Sequence, residues 1–174
     1  MPQNRERFNR MVVLGIDPGS SQTGFGIVSS HRRALQYVGH GVIRAASRLP
    51  LPQRLQAIYR GIHDVIDAHR PNGMAVEAIF HARNAKSSLV LGHARGIALL
   101  AAVERSLDIY EYSPRQVKQA LTGYGNAPKE QLRAMVRALL ALQGAVPLDA
   151  SDALAVAICH AHCHQTEQRL DFCK

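Results

Sequence analysis

Met11 to Ser29 reads MVVLGIDPGSSQTGFGIVS. MVVLGID is a short apolar run with β-branched residues that ends on an aspartate, the pattern of a buried strand. Pro18-Gly19-Ser20-Ser21 is turn chemistry, and TGFGIVS (Thr23 to Ser29) returns as a second strand. The stretch is therefore a hairpin with Asp17 at its turn end. A third strand around Ala34 to Arg44 completes an antiparallel meander.

Beyond the breaker LPLP (Leu49 to Pro52), apolar residues recur at Leu55, Ile58, Tyr59, Ile62, Val65 and Ile66, one helix face that Pro71-Asn72-Gly73 ends. MAVEA (Met74 to Ala78) is a short strand. A helix from about Asn84 to Ser106, a strand DIYEY (Asp108 to Tyr112) and helices starting near Pro114, Pro128 and Asp149 follow. A meander followed by alternating helices and strands predicts one α/β domain, a mixed sheet with helices on its faces.

The 174 residues are enough to bury an apolar core without staples. Three cysteines (Cys159, Cys163, Cys173), odd in number and crowded near one end, make no disulfide framework and point to a reducing compartment. No run of 18 apolar residues and no signal-peptide pattern occurs, so a cytoplasmic protein without a membrane partner is expected. Lys+Arg 21 against Asp+Glu 13 leaves a formal charge of +8, and 17 of the cations are arginine. The guanidinium fork suits phosphate, which makes nucleic acid the candidate partner.

Against that basic background stand four acids. Asp17 and Glu77 end two predicted strands, and a helical crossover between those strands makes them parallel neighbours. A carboxylate in MAVEA is costly to bury unless cations compensate it. Asp149 and Asp152 share one face at the start of the apolar helix ASDALAVAI, whose simpler reading is a cap with an acidic first turn. Four oxygen ligands select hard divalent cations, Mg2+ or Mn2+, and two such ions would balance the charge of −4. Two ions can activate water on one side of a phosphodiester and stabilise the leaving oxygen on the other. An acidic metal site in a basic protein is the charge pattern of a nuclease.

LGIDPGSSQTGFGIV (Leu14 to Val28), VEAIF (Val76 to Phe80), NAKSSLVLGHARG (Asn84 to Gly96), YSPRQVKQALTGYGNAPKEQ (Tyr112 to Gln131) and DASDALAVAICHAH (Asp149 to His162) resemble, in order and spacing, the RuvC family of bacterial Holliday-junction resolvases. The resemblance implies a ribonuclease-H-like fold with a mixed five-stranded sheet flanked by helices. It also implies a homodimer, a four-way DNA junction as substrate, symmetric nicking of two opposed strands with divalent metal, and a branch-migration motor as partner. Carried over by position, it makes Asp17, Glu77, Asp149 and Asp152 the metal-binding catalytic carboxylates. Some relatives carry histidine where this chain has Asp149, so no histidine base is available there. Phe80 matches an aromatic that wedges against unpaired bases, and stacking on a base is worth about 1–3 kcal/mol. Lys118 and Lys129 match lysines at the rim of the site, and Arg83, Lys86 and Arg115 are weaker phosphate candidates. LVLGHARGIALLAAV (Leu89 to Val103) is implied to lie at the dimer interface.

The resemblance spans about residues 11 to 164. Residues 1 to 10 read as a polar tail, with Met11 an alternative start, 11 to 166 as the nuclease domain, and 167 to 174 as a C-terminal tail. GIDPGSSQTG also resembles the phosphate loop of actin-like and sugar-kinase ATPases, but those need two lobes and this chain has length for one. Phe25 stands where a P-loop needs lysine. In CHAHCH (Cys159 to His164), His160 and His164 share a helix face, as do Cys159 and Cys163, while His162 points elsewhere. The run therefore reads as a helix with incidental ligand types, and no zinc site is assigned.

Overall fold

The computed structural model describes residues 10–32, 34–78 and 85–171. Strands β1 (Arg10–Asp17), β2 (Gln22–His31) and β3 (Ala34–Arg44) form the expected meander, followed by α1 (Leu51–His69), β4 (Gly73–Glu77) and α2 (Ala85–Glu104). Next come β5 (Asp108–Tyr112), α3 (Pro114–Thr122), α4 (Lys129–Leu139) and α5 (Leu148–Asp171). The five strands make one sheet in the order β3-β2-β1-β4-β5. β1 pairs antiparallel with β2 and parallel with β4, and β4 pairs parallel with β5. This mixed α/β sheet is the one expected.

Period-two alternation decides which side chains meet which layer. On β1, Val13 belongs to a core cluster with Leu154 and Ile158 of α5, while Leu14 and Ile16 join Ile58 and Ile62 of α1 and Ala98 of α2. Residues 13, 15 and 17 therefore face α5, and 14 and 16 face α1 and α2. On β4, Ala75 faces α5 and Met74 the opposite layer, which puts Glu77 on the α5 side. The sheet lies between α1 with α2 and α3 with α4 and α5.

Several element ends differ from the expectation. Strand β1 includes Arg10, because Arg10 still pairs with His31. Helix α5 begins at Leu148, so Asp149 lies inside its first turn and is not the cap. The helix runs on to Asp171 through part of the segment read as a tail, because residues 167–171 contain neither Gly nor Pro to stop it. By length and composition α2 could cross a membrane, but Ala94, Ala98, Ala101 and Ala102 bury one of its faces in this protein's own core.

Candidate active site

Ile16 and Val76 are partners in the parallel register of β1 and β4. The next residues, Asp17 and Glu77, thus end adjacent strands about 5 Å apart and face the same layer. Helix α5 enters that layer by its first turn, bringing Asp149 and Asp152 to the edge where the strands end. The approach depends on glycine: a Cβ at Gly24 would collide with the Asp149 carbonyl, and one at Gly15 with the Ala153 carbonyl. Glycines at such positions let α5 lie directly on β1 and β2. In the sequence they are visible only as isolated glycines inside strands, with no local sign of the helix that rests on them.

The electrostatics show the convergence. The Asp17 carboxyl is pushed up to about 7, first by burial, then by the negative charges of Asp152, Glu77 and Asp149, with Lys129 pulling the other way. Glu77 is raised by burial and by Asp152, opposed by Lys129 and Lys118. Lys129, first residue of α4, holds its Nζ 3.5 Å from Asp152 Oδ2. All four acids thus meet at one edge with two lysines beside them. Among the described residues, no three acidic, histidine or cysteine side chains are drawn tightly enough to chelate one ion.

The donor set nevertheless suits a hard divalent cation. Every group is a carboxylate, and Asp17 and Glu77 are raised first by burial and then by the neighbouring negative charges, which the two lysines offset only in part. A cation would relieve that surplus.

Asp17 also links stability to pH. Its folded pKa of about 7 lies above the ordinary 3.8, so the folded state binds the proton more tightly. This contribution is complete below about pH 4, declines as pH rises, and is gone above about pH 7. At ~1.4 kcal/mol per pKa unit it amounts to roughly 2–3 kcal/mol between pH 5 and pH 8. With chelator present, wild-type protein should melt several degrees lower at pH 8 than at pH 5, and Asp17→Asn should flatten the difference. Magnesium should raise the wild-type melting temperature more at pH 8, where no proton competes. An equal pH dependence in wild type and variant would show that Asp17 is not the linked group.

The other candidates are dispersed. Arg115 is exposed on the first turn of α3 and is not among the charges acting on Asp17 or Glu77. Lys86 lies on the first turn of α2, in the opposite helical layer. Phe80 and Arg83 lie outside the described residues. The CHAHCH run is inside α5, where His160 stacks on Tyr110 with ring centroids 3.9 Å apart and its Nδ1 lies 2.7 Å from the Tyr112 hydroxyl. Burial and the neighbouring His164 push His160 down to about 4, so it is a neutral core residue at pH 7.

Residues 13–160 match the protein family described as crossover junction endodeoxyribonuclease RuvC. A crossover junction endodeoxyribonuclease RuvC from Syntrophotalea carbinolica is 52% identical over 153 residues, covering 88% of this chain and 95% of its own length. One from Pseudomonas paraeruginosa is 49% identical over 155 residues, covering 89% and 88%. Among solved structures, T. thermophilus RuvC in complex with Holliday junction substrate superposes with a TM-score of 0.85 at 36% identity, covering 90% of this chain and 96% of that one.

Proposed function

This chain belongs to the RuvC family of crossover junction endodeoxyribonucleases, and on that footing we propose that it resolves four-way DNA junctions in the cytoplasm by nicking two opposed strands. It is a DNA endonuclease of the Holliday-junction resolvase class, serving recombination and repair. The observation that carries the catalytic reading is the meeting of Asp17, Glu77, Asp149 and Asp152 at one sheet edge, with the carboxyl of Asp17 pushed up to about 7. Incubating a synthetic four-way junction with protein and magnesium, then resolving the strands on a denaturing gel, tests it. Paired, symmetric incisions absent from a linear duplex are expected; a duplex cut equally well would refute junction specificity.

The four carboxylates would hold two divalent cations, which supply an activated water and stabilisation of the leaving 3′ oxygen. The protein's own groups bind and orient. Lys129, exposed except where it meets Asp152, is in position to hold a phosphate oxygen, and Lys118 adds positive charge on the Glu77 side. Burial of Asp17 limits water around the acids and strengthens every charge interaction there. Phe80 is proposed to stack on unpaired bases, and Arg83, Lys86 and Arg115 to meet backbone phosphates.

Two nicks in opposed strands need two sites, and a two-fold dimer supplies them. On α2, Leu89, Leu100 and Val103 are exposed at 66%, 50% and 62%, and nothing lies within 4 Å of a Cβ placed at Gly92 or Gly96. Positions 89, 92, 96, 100 and 103 recur at steps of three and four, forming one stripe with a small centre that a second helix can approach closely. The stripe supports pairing between two copies of α2. Leu100→Asp should yield a monomer by sedimentation, with unchanged helix content, that makes unpaired nicks. A variant that remained dimeric would place the interface elsewhere. A branch-migration motor is proposed as a further partner, on the family resemblance alone.

A further inference from the structure

A cavity of about 410 Å³ opens beside the turn that follows Asp17, lined by Ser20, Arg54, Lys86, Ser87, Val90 and Leu91. It lies on the side of the sheet away from α5 but at the same edge. Strands β1, β3 and β4 all run towards that edge, so α1 and α2, which follow β3 and β4, begin there. Arg54 and Lys86 sit in those first turns. Two cations, two hydroxyls and two aliphatic side chains line the space, with no carboxylate among them.

Hydroxyl groups hold Arg54 in place. Its Nη1 donates to Ser21 Oγ at 2.6 Å and Ser20 Oγ at 3.3 Å. Among the described residues it has no carboxylate partner, and its Nε is buried without an acceptor. Hydroxyls can orient a guanidinium, yet they leave its charge free to act on an anion. Buried unsatisfied donors are rare, and a cation in a helix's first turn also opposes the helix dipole. The turn is fixed as well. Thr23 Oγ1 donates to the Gly19 carbonyl at 2.8 Å and accepts from the Gly19 N–H at 3.2 Å, while the Ala45 N–H donates to the Ser21 carbonyl at 2.9 Å.

We propose that this cavity is a subsite for a backbone phosphate of the strand being cut, gripped by Arg54 with Ser20, Ser87 and Lys86, with Val90 and Leu91 against the deoxyribose. The inference rests on the resolvase reading above and extends it to residues on the other face of the sheet. Ser20 follows Asp17 by three residues, so their Cα atoms are at most about 11 Å apart. One DNA strand lying across that edge can therefore reach both the carboxylates and the cavity. Its role is to hold the strand in register across the edge while the carboxylates act.

Junction affinity as a function of salt separates this role from simple bracing of the turn. In an Asp17→Asn background, which keeps the DNA uncut, Arg54→Met should bind about tenfold more weakly at low salt. Its plot of log affinity against log salt should be shallower by about 0.9, the signature of one lost phosphate contact. Arg54→Lys should keep the parental slope because it keeps the charge. Ser21→Ala, which removes a hydroxyl that holds Arg54 but no charge, should also keep it. A parental slope in Arg54→Met, with a fall in melting temperature shared by Ser21→Ala, would mean that Arg54 only braces the turn and would overturn the subsite. A parental slope with inorganic phosphate protecting wild type, but not Arg54→Met, against melting would assign the cavity to a free anion and overturn it equally. Wild-type cleavage of the four-way junction is measured alongside. Failure there refutes the resolvase reading, whereas normal cleavage with an unchanged Arg54→Met slope refutes the subsite alone.

Discussion

Asp17→Asn is expected to slow junction cleavage about a thousandfold or more while leaving junction affinity within a few-fold of wild type. Divalent cations contribute several kcal/mol of charge stabilisation in hydrolysis of this kind, and a thousandfold corresponds to about 4 kcal/mol. Asp17 is the acid on which all three other carboxylates act, so its loss disturbs the whole site. Affinity comes mainly from cations touching phosphates elsewhere. Single-turnover cleavage and a band-shift assay in calcium give the two numbers. Loss of both in parallel, with the fold intact, would mean that Asp17 organises DNA binding and would remove its assignment to catalysis.

The second large effect is expected at Gly24→Ala, a substitution that changes no charge but sits opposite Asp17 on the neighbouring strand. The added methyl would meet the Asp149 carbonyl and the Ala150 N–H, both backbone, so no side chain can swing away. Overpacking costs about 1–3 kcal/mol, and rigid backbone puts this case at ~3 kcal/mol or above. For a domain of this size that lowers the melting temperature by roughly 6–12 °C. Cleavage should fall further than stability explains, even well below the melt, because the helix turn carrying Asp149 is what must move. Unchanged melting and cleavage would mean that α5 does not rest on β2 at this point.

The contrast between these two positions shows what the sequence discloses. Strands and helices were legible because their periods are local: MVVLGID is an apolar run with β-branched residues, DIYEY sets Ile109, Tyr110 and Tyr112 among two acids, and α1 repeats Ile58, Ile62 and Ile66 on one face. Asp17 and Glu77 were legible because a carboxylate closing an apolar strand demands compensation. Asp149 and Asp152 needed more, since an acidic first turn is ordinary; only the crossing of α5 over β1 and β2 joins them to the others. Gly15 and Gly24 stayed silent because close approach is a property of two elements at once. Arg54 stayed silent for a related reason: its tether to Ser20 and Ser21 spans more than thirty residues, beyond any local pattern. The far end of α5 is ambiguous in the sequence because a polar segment without breakers reads equally well as tail or as helix.

Helix α5 carries Asp149 and Asp152 near its start, and seventeen residues on from Leu148 its Gln165 donates to Ser30 Oγ at 2.7 Å, at the far end of the central hairpin. Between these points Ala153, Leu154, Ala155, Val156, Ala157 and Ile158 are almost wholly buried. About 24 Å of continuous helix, from Asp149 to Gln165, therefore joins the chemistry to the opposite end of the hairpin. Amide protons along Ala153 to Ala161 should exchange with deuterium only through whole-domain opening, while those of edge strand β3 exchange through smaller fluctuations. Partial opening cannot release the two aspartates without also exposing the core, so thermal inactivation and loss of near-UV dichroism should follow a single curve.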